Sequence, residues 1–207
     1  MISSPRLILA SGSPRRRRML RGLGLDFDVR PVDVDESPLA GEAAPDYVSR
    51  LAAEKASAAA AAAATPAPEV ILAADTVVVF DGELLGKPRD RDDAERMLER
   101  LAGRGHEVLT GVAVRGPVDA ARDPRLAAIE RTRVWFAEMT PEEIAWYAAT
   151  GEPLDKAGAY AIQDFGALFV DRIDGNYSNV VGLPLPAVYR LLRQVGLDLP
   201  AAFNLRT

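Results

Sequence analysis

Two placements of charge in this 207-residue chain could carry chemistry. The first is Asp75, set inside the run Val70-Ile71-Leu72-Ala73-Ala74-Asp75-Thr76-Val77-Val78-Val79. A run of that composition forms a strand buried on at least one face. An unpaired carboxylate there is costly, so it must find a cation, a proton or hydrogen bonds. In the plainer alternative Asp75 faces water, but its lone polar neighbour, Thr76, points to the opposite face and lends that little support. The second is Arg15-Arg16-Arg17-Arg18, directly after Ser11-Gly12-Ser13-Pro14. A helix N-terminus carries partial positive charge, so each cation there costs roughly 0.3–1 kcal/mol unless an anion offsets it. A phosphate chain would be such an anion, engaging the loop N–H groups, the Ser11 and Ser13 hydroxyls and the forks of Arg15 and Arg16. Arg17 and Arg18 read as a solvated basic face. No Walker A pattern is present, so this is not a P-loop.

Other candidates are weaker singly. Asp33, Asp35 and Glu36 follow an extended stretch and could hold a divalent cation or merely solvate a loop. Lys55 lies on an alanine-rich helix, where a surface lysine is the ordinary outcome. Lys87, between Gly86 and Pro88 in a rigid turn, is better placed to be aimed. Gln163 lies in an otherwise apolar stretch and could read a base edge. His106 reads as structural or exposed. Together, one basic anion site, several lysines and isolated carboxylates suggest metal-assisted hydrolysis of a phosphoanhydride. The metal would neutralise phosphate charge, and Asp75 would orient or deprotonate a water.

Composition narrows the chemistry further. The chain has no cysteine and one histidine. Thiolate metal sites, disulfides and a cysteine nucleophile are therefore excluded, and a serine–histidine–carboxylate triad is hard to build. Any metal must be held by carboxylates, which favours Mg²⁺ or Mn²⁺. A net charge of −5 leaves no overall basic footprint for nucleic acid. Leu7–Ala10 is too short for a signal segment, and nothing approaches the ~20 apolar residues a membrane span needs. A cytoplasmic protein is expected, binding neither nucleic acid nor membrane.

The elements that must position these residues are legible. Arg6–Ala10 reads as a strand running into a helix capped by Ser13, with Pro14 at its first position. Phe27–Asp35 is extended. A helix runs from about Pro45 to Ala64, where Thr65-Pro66-Ala67-Pro68 stops it. Val70–Phe80 is a strand, Asp81-Gly82 a hairpin turn, and Leu84-Leu85 the return. Asp90 or Asp92 caps a helix closed by Gly103. Strands follow at about Val108–Val114 and Ala127–Ala137, around a Pro/Gly/Asp loop. Thr140–Glu143 is a capping box. Beyond Tyr160–Gln163 and Leu168–Val170 come a glycine turn at Asp174-Gly175-Asn176 and a helix from Pro184 to Val195. Alternating strands and helices with some hairpins imply an α/β fold with a mixed sheet, read as one unit over 1–207.

Several motifs carry a resemblance. Leu9-Ala10-Ser11-Gly12-Ser13-Pro14-Arg15-Arg16, Ala73-Ala74-Asp75-Thr76-Val77-Val78, Gly86-Lys87-Pro88 and Thr110-Gly111-Val112 resemble the Maf (septum-formation-inhibitor) family in order and spacing. So do Asp155-Lys156-Ala157-Gly158-Ala159-Tyr160-Ala161-Ile162-Gln163 and Asn179-Val180-Val181-Gly182-Leu183-Pro184. The likeness runs from residue 7 to about 192. It implies a nucleotide pyrophosphatase with a mixed central sheet flanked by helices. It also implies two lobes with an active-site cleft, similar to inosine triphosphate pyrophosphatases, and cleavage between the α and β phosphates with a divalent metal. Carried over, Asp75 is the proton acceptor and Glu36 helps it hold metal. Ser11, Arg15, Arg16, Lys55 and Lys87 surround the phosphates, and Arg15, Thr76 and Gln163 discriminate substrates. The stretch ending in Gln163 resembles the dTTP/UTP branch rather than the branch acting on 7-methyl-GTP, and modified pyrimidine nucleotides are included among the expected substrates. A nucleotide-binding regulator of septation without turnover is the rival of another class, though it gives no reason to keep Asp75 in an apolar strand. The family suggests a homodimer.

Overall fold

The computed structural model describes residues 5–63, 68–117 and 123–197. They fall into two compact units. Unit one comprises Met1–Asp75, Gly111–Ile129 and Gly182–Thr207; unit two comprises Thr76–Thr110 and Glu130–Val181.

In unit one, β1 (Arg6–Leu9) lies parallel to β2 (Asp28–Val29) and to the first part of β3 (Glu69–Phe80). Leu7 sits opposite Val70 and Leu9 opposite Leu72. Because side chains alternate along a strand, this register sorts them into two faces. Leu7, Leu9, Val70, Leu72 and Ala74 pack with Leu20 of α1 (Pro14–Gly22) and with Val188, Leu191 and Leu192 of α6 (Leu185–Gln194). Ile8, Ala10, Ile71 and Ala73 turn the other way, onto Ala52, Ala56 and Ala59 of α2 (Ala44–Ala61). Ser13 caps α1 through its hydroxyl, with Pro14 at the first helical position, as expected. The small alanine face brings α2 close to the sheet. A Cβ on Gly111, in β5 (Gly105–Arg115), would meet the Val48 carbonyl oxygen at 2.2 Å.

Two expected boundaries shift. Only Asp28 and Val29 of the extended 27–35 stretch pair as a strand, and the rest runs as loop. The alanine helix ends at Ala61, short of Ala64. Its expected stop at Thr65-Pro66-Ala67 lies outside the described residues, as does part of the Pro/Gly/Asp loop.

In unit two, β3 turns through Asp81 and Gly82, both at positive φ, into antiparallel β4 (Glu83–Leu85). Asp90 caps α3 (Arg91–Leu101), accepting from the Asp93 N–H at 2.8 Å. The Thr140–Glu143 capping box opens α4 (Pro141–Ala149) as the sequence predicts. Val134 and Phe136 of β6 (Arg125–Phe136) join Val78, Phe80, Leu98, Leu101 and Tyr147 in a separate core. Residues 152–169 form three short 3-10 turns before β7 (Val170–Asp174), which pairs antiparallel with β6. A short helix, α5 (Tyr177–Val181), follows the glycine turn and was not expected. It sets Asn179 in the interior, donating to the Val108 carbonyl and to Thr132 Oγ1, each at 3.0 Å. The sheet is thus mixed and flanked by helices, as the sequence implies. Among the described residues no helix is long and apolar enough to cross a membrane.

Candidate active site

Unit one gathers most of the chemistry-bearing residues. Asp75 has the same parity as Ile71 and Ala73, so its side chain leaves β3 on the α2 side. It is buried, at 7% exposure. Lys55 comes to it from α2, one helical turn before Ala59, and its Nζ lies 2.6 Å from Asp75 Oδ1. The same ammonium reaches Glu36 Oε1 at 2.5 Å. Lys55 thus bridges a buried carboxylate and an exposed one, and is itself 9% exposed.

Glu36 sits in a loop without regular structure, yet the loop is held. Tyr47 on α2 donates its hydroxyl to the Glu36 carbonyl at 2.8 Å. Arg50, one turn on, donates to the Ser37 carbonyl at 3.2 Å and clasps Glu42 through two nitrogens, at 2.6 and 2.7 Å. The bonded guanidinium lowers the Glu42 carboxyl to about 2. Burial first, and then the charges of Asp75 and Glu36, push the Tyr47 phenol up to about 12. Tyr47 and Arg50 escaped sequence reasoning. A signal existed, since Tyr47 and Lys55 are eight residues apart and so share a helix face.

The basic loop is built around Ser11 and Arg16. Ser11 Oγ accepts from the Ser13 N–H and from Arg16 Nη1, both at 3.2 Å. Arg16 Nε donates to the Gly182 carbonyl at 2.7 Å. Burial lowers the Arg16 guanidinium from its ordinary value, and the charge of Asp75 opposes that fall. Arg15 is partly buried and Arg18 exposed. The arrangement offers oriented hydroxyls, a fixed guanidinium and an ion-paired carboxylate within one unit. That combination suits an anion plus a hydrolytic base. Of the three acids in the loop, Glu36 alone is brought to Lys55; Asp35 accepts from the Ser37 N–H at 2.9 Å, and the Ser37 side-chain and backbone hydrogen bonds hold its carboxyl below the ordinary value. Among the described residues no group of three or more acidic or histidine side chains is set to hold a metal.

The remaining candidates lie in unit two. Thr76 shares a hydrogen bond with Thr110 at 2.9 Å between hydroxyl oxygens. Lys87 is exposed on its turn, which is anchored where the Gly86 carbonyl accepts from the Gly158 N–H at 3.0 Å. Gln163 is half-buried at the head of the 3-10 turn Asp164–Phe169. His106 is buried against Phe136 and Tyr160, with Nε2 2.8 Å from the Tyr160 hydroxyl.

Residues 6–195 match the Maf-like protein family. The dTTP/UTP pyrophosphatase of Anaeromyxobacter dehalogenans (strain 2CP-C) is 56% identical over 197 residues, covering 95% of this chain and 97% of that one. That of Myxococcus xanthus (strain DK1622) is 52% identical over 194 residues, covering 94% of each. Among solved structures, the Staphylococcus aureus Ham1 protein aligns at 16% identity and a TM-score of 0.47, over 78% of this chain and 77% of that one. Matched along nearly its whole length, the chain belongs to the Maf-like protein family.

Proposed function

We propose that this chain is a nucleoside triphosphate pyrophosphatase that hydrolyses dTTP and UTP to the monophosphate and pyrophosphate. The observation that carries the reading is the Asp75–Lys55–Glu36 bridge, buried at Asp75 and Lys55, in the unit that also holds the Ser11–Arg16 loop. Relatives of more than half identity carry the name dTTP/UTP pyrophosphatase.

In this mechanism Ser11, Arg15 and Arg16 bind phosphate oxygens, and Lys55 neutralises charge beside them. A water attacks the α phosphorus, the bond from that phosphorus to the bridging oxygen breaks, and pyrophosphate leaves with the bond's electron pair. Asp75 accepts the proton of the attacking water. Thr76, Lys87 and Gln163 are assigned to substrate binding, with Arg15, Thr76 and Gln163 setting specificity.

A divalent cation, Mg²⁺ or Mn²⁺, fits the donor set. Asp75 and Glu36 converge on one point, now occupied by the Lys55 ammonium, and Mg²⁺ is held by one or two carboxylates together with phosphate oxygens and water. When bound by Asp75 and Glu36, it would supply charge neutralisation for the phosphates. A cytoplasmic protein is expected, and light scattering should show a homodimer.

The test is pyrophosphate release from dTTP, UTP, 7-methyl-GTP and other nucleotides, comparing the wild type with Asp75→Asn. Release from dTTP and UTP is expected, abolished by chelation and reduced by at least about a hundredfold in the variant, the scale of a lost general base. Turnover of 7-methyl-GTP alone would overturn the specificity. Nucleotide binding without hydrolysis would make the chain a binding regulator.

A further inference from the structure

We infer that Glu152, acting with Tyr147, is a positioning residue for nucleotide discrimination, because it holds the turn that presents Gln163. The inference rests on reading Gln163 as a specificity residue.

Glu152 opens a 3-10 turn at Glu152–Asp155 in unit two. Its Oε1 accepts from the Tyr147 hydroxyl at 2.7 Å and from the Gly166 N–H at 3.0 Å. Its Oε2 accepts from the Phe165 N–H at 3.1 Å. The Tyr147 hydroxyl oxygen in turn accepts from the Ala161 N–H at 3.1 Å. One carboxylate–phenol pair therefore ties backbone donors two residues before Gln163 and two and three residues after it. Tyr147 is fully buried, and burial raises its phenol well above the ordinary value. It keeps its proton and remains a donor to Glu152 throughout the neutral range.

The turn has reason to need this fastening. Asp164, next to Gln163, stands at φ 54°, in the left-handed region that non-glycine residues seldom occupy. Gly166 admits no side chain, since a Cβ there would lie 2.1 Å from the Ala161 carbonyl oxygen and 2.5 Å from the Tyr147 hydroxyl. Gln163 makes no side-chain capping bond at the head of its turn. Its aim is thus inherited from the backbone. A side chain that distinguishes bases by hydrogen bonding discriminates only as well as its placement is fixed.

The experiment measures kcat/KM for dTTP and dCTP in the wild type, Glu152→Gln, Tyr147→Phe, Gln163→Ala and the Glu152→Gln/Gln163→Ala double variant. Circular dichroism checks that each is folded. Glu152→Gln is expected to lower the dTTP-to-dCTP ratio about tenfold, chiefly through a higher KM for dTTP. Tyr147→Phe should lower it in the same direction. The double variant should show the ratio of Gln163→Ala alone, because the two residues act through one contact. A merely structural Glu152 would lower thermal stability and leave the ratio at the wild-type value, which overturns the proposal. Multiplicative loss in the double variant overturns it too. If Glu152→Gln does not fold, Tyr147→Phe decides by the same ratio. A wild-type ratio in Gln163→Ala would remove the specificity role of Gln163 and this inference with it. Loss of the ratio in Gln163→Ala, but not in Glu152→Gln or Tyr147→Phe, would sink the inference alone.

Discussion

Lys55 illustrates how a residue's role follows from its partners. Its ammonium is nine-tenths buried and lies between two carboxylates. Removing it strands Asp75 as a buried charge, and breaking such a pair from one side costs far more than exchanging both partners. Lys55→Met is expected to lower unfolding stability in urea by about 3 kcal/mol. Lys55→Met combined with Asp75→Asn should recover part of that loss. Simple additivity of the two single changes would show that the pair is not coupled. Asp75 was conspicuous in the sequence because a carboxylate amid β-branched residues has no cheap alternative. Lys55 was not, because a lysine on an alanine-rich helix looks the same whether it faces water or a partner twenty residues away. The loop acids Asp33, Asp35 and Glu36 were equally ambiguous until Tyr47 and Arg50 fixed the loop. The selection of Glu36 came from the family likeness, not from its spacing.

At the scale of elements, the approach of α2 to β5 is set by Gly111. Overpacking a close contact against backbone, which cannot rotate away, typically costs about 1–3 kcal/mol. Gly111→Ala is therefore expected to lower the melting temperature by roughly 2–4 °C per kcal/mol lost. Gly22→Ala, where a Cβ meets nothing within 4 Å, should leave it unchanged or raise it slightly. Equal melting for both variants would show that α2 can withdraw without cost. The strands and long helices were legible because their periods of 2 and 3.6 write apolar residues at regular spacing. Residues 152–169 were not, because their 3-10 turns leave no such period. The Tyr147–Glu152 fastening is carried by contacts between a helix, a turn and backbone donors farther along. Helix α5, five residues long, is too short to show periodicity.

For the whole molecule, acid stability has a single dominant group in its first window. His106 is lowered from 6.5 to about 4 by burial. The unfolded chain therefore takes up this proton first, so stability falls as pH drops from about 6.5 toward 4. A shift of that size amounts to at most about 3 kcal/mol. Carboxylates such as Glu42, held near 2 by Arg50, lose their contribution only below about 4.5, as pH falls toward their folded values. Urea titrations between pH 7 and 4.5 should show the slope, and His106→Phe should flatten it. An unchanged slope in the variant would assign the acid sensitivity elsewhere. At this scale the sequence showed no linker, and the reason is physical. Strands β3, β5 and β6 each pass from one compact unit into the other partway along their length, so no loop marks the crossing.

The alanine run has a consequence for how this chain can vary. Everything α2 contributes to the candidate site, from Tyr47 through Arg50 to Lys55, precedes Ala58, while Ala61–Ala63 at its far end are exposed. A residue added or removed past Ala59 would lengthen or shorten the tract downstream of the chemistry. The helix thus tolerates drift in length at one end while keeping its register at the other.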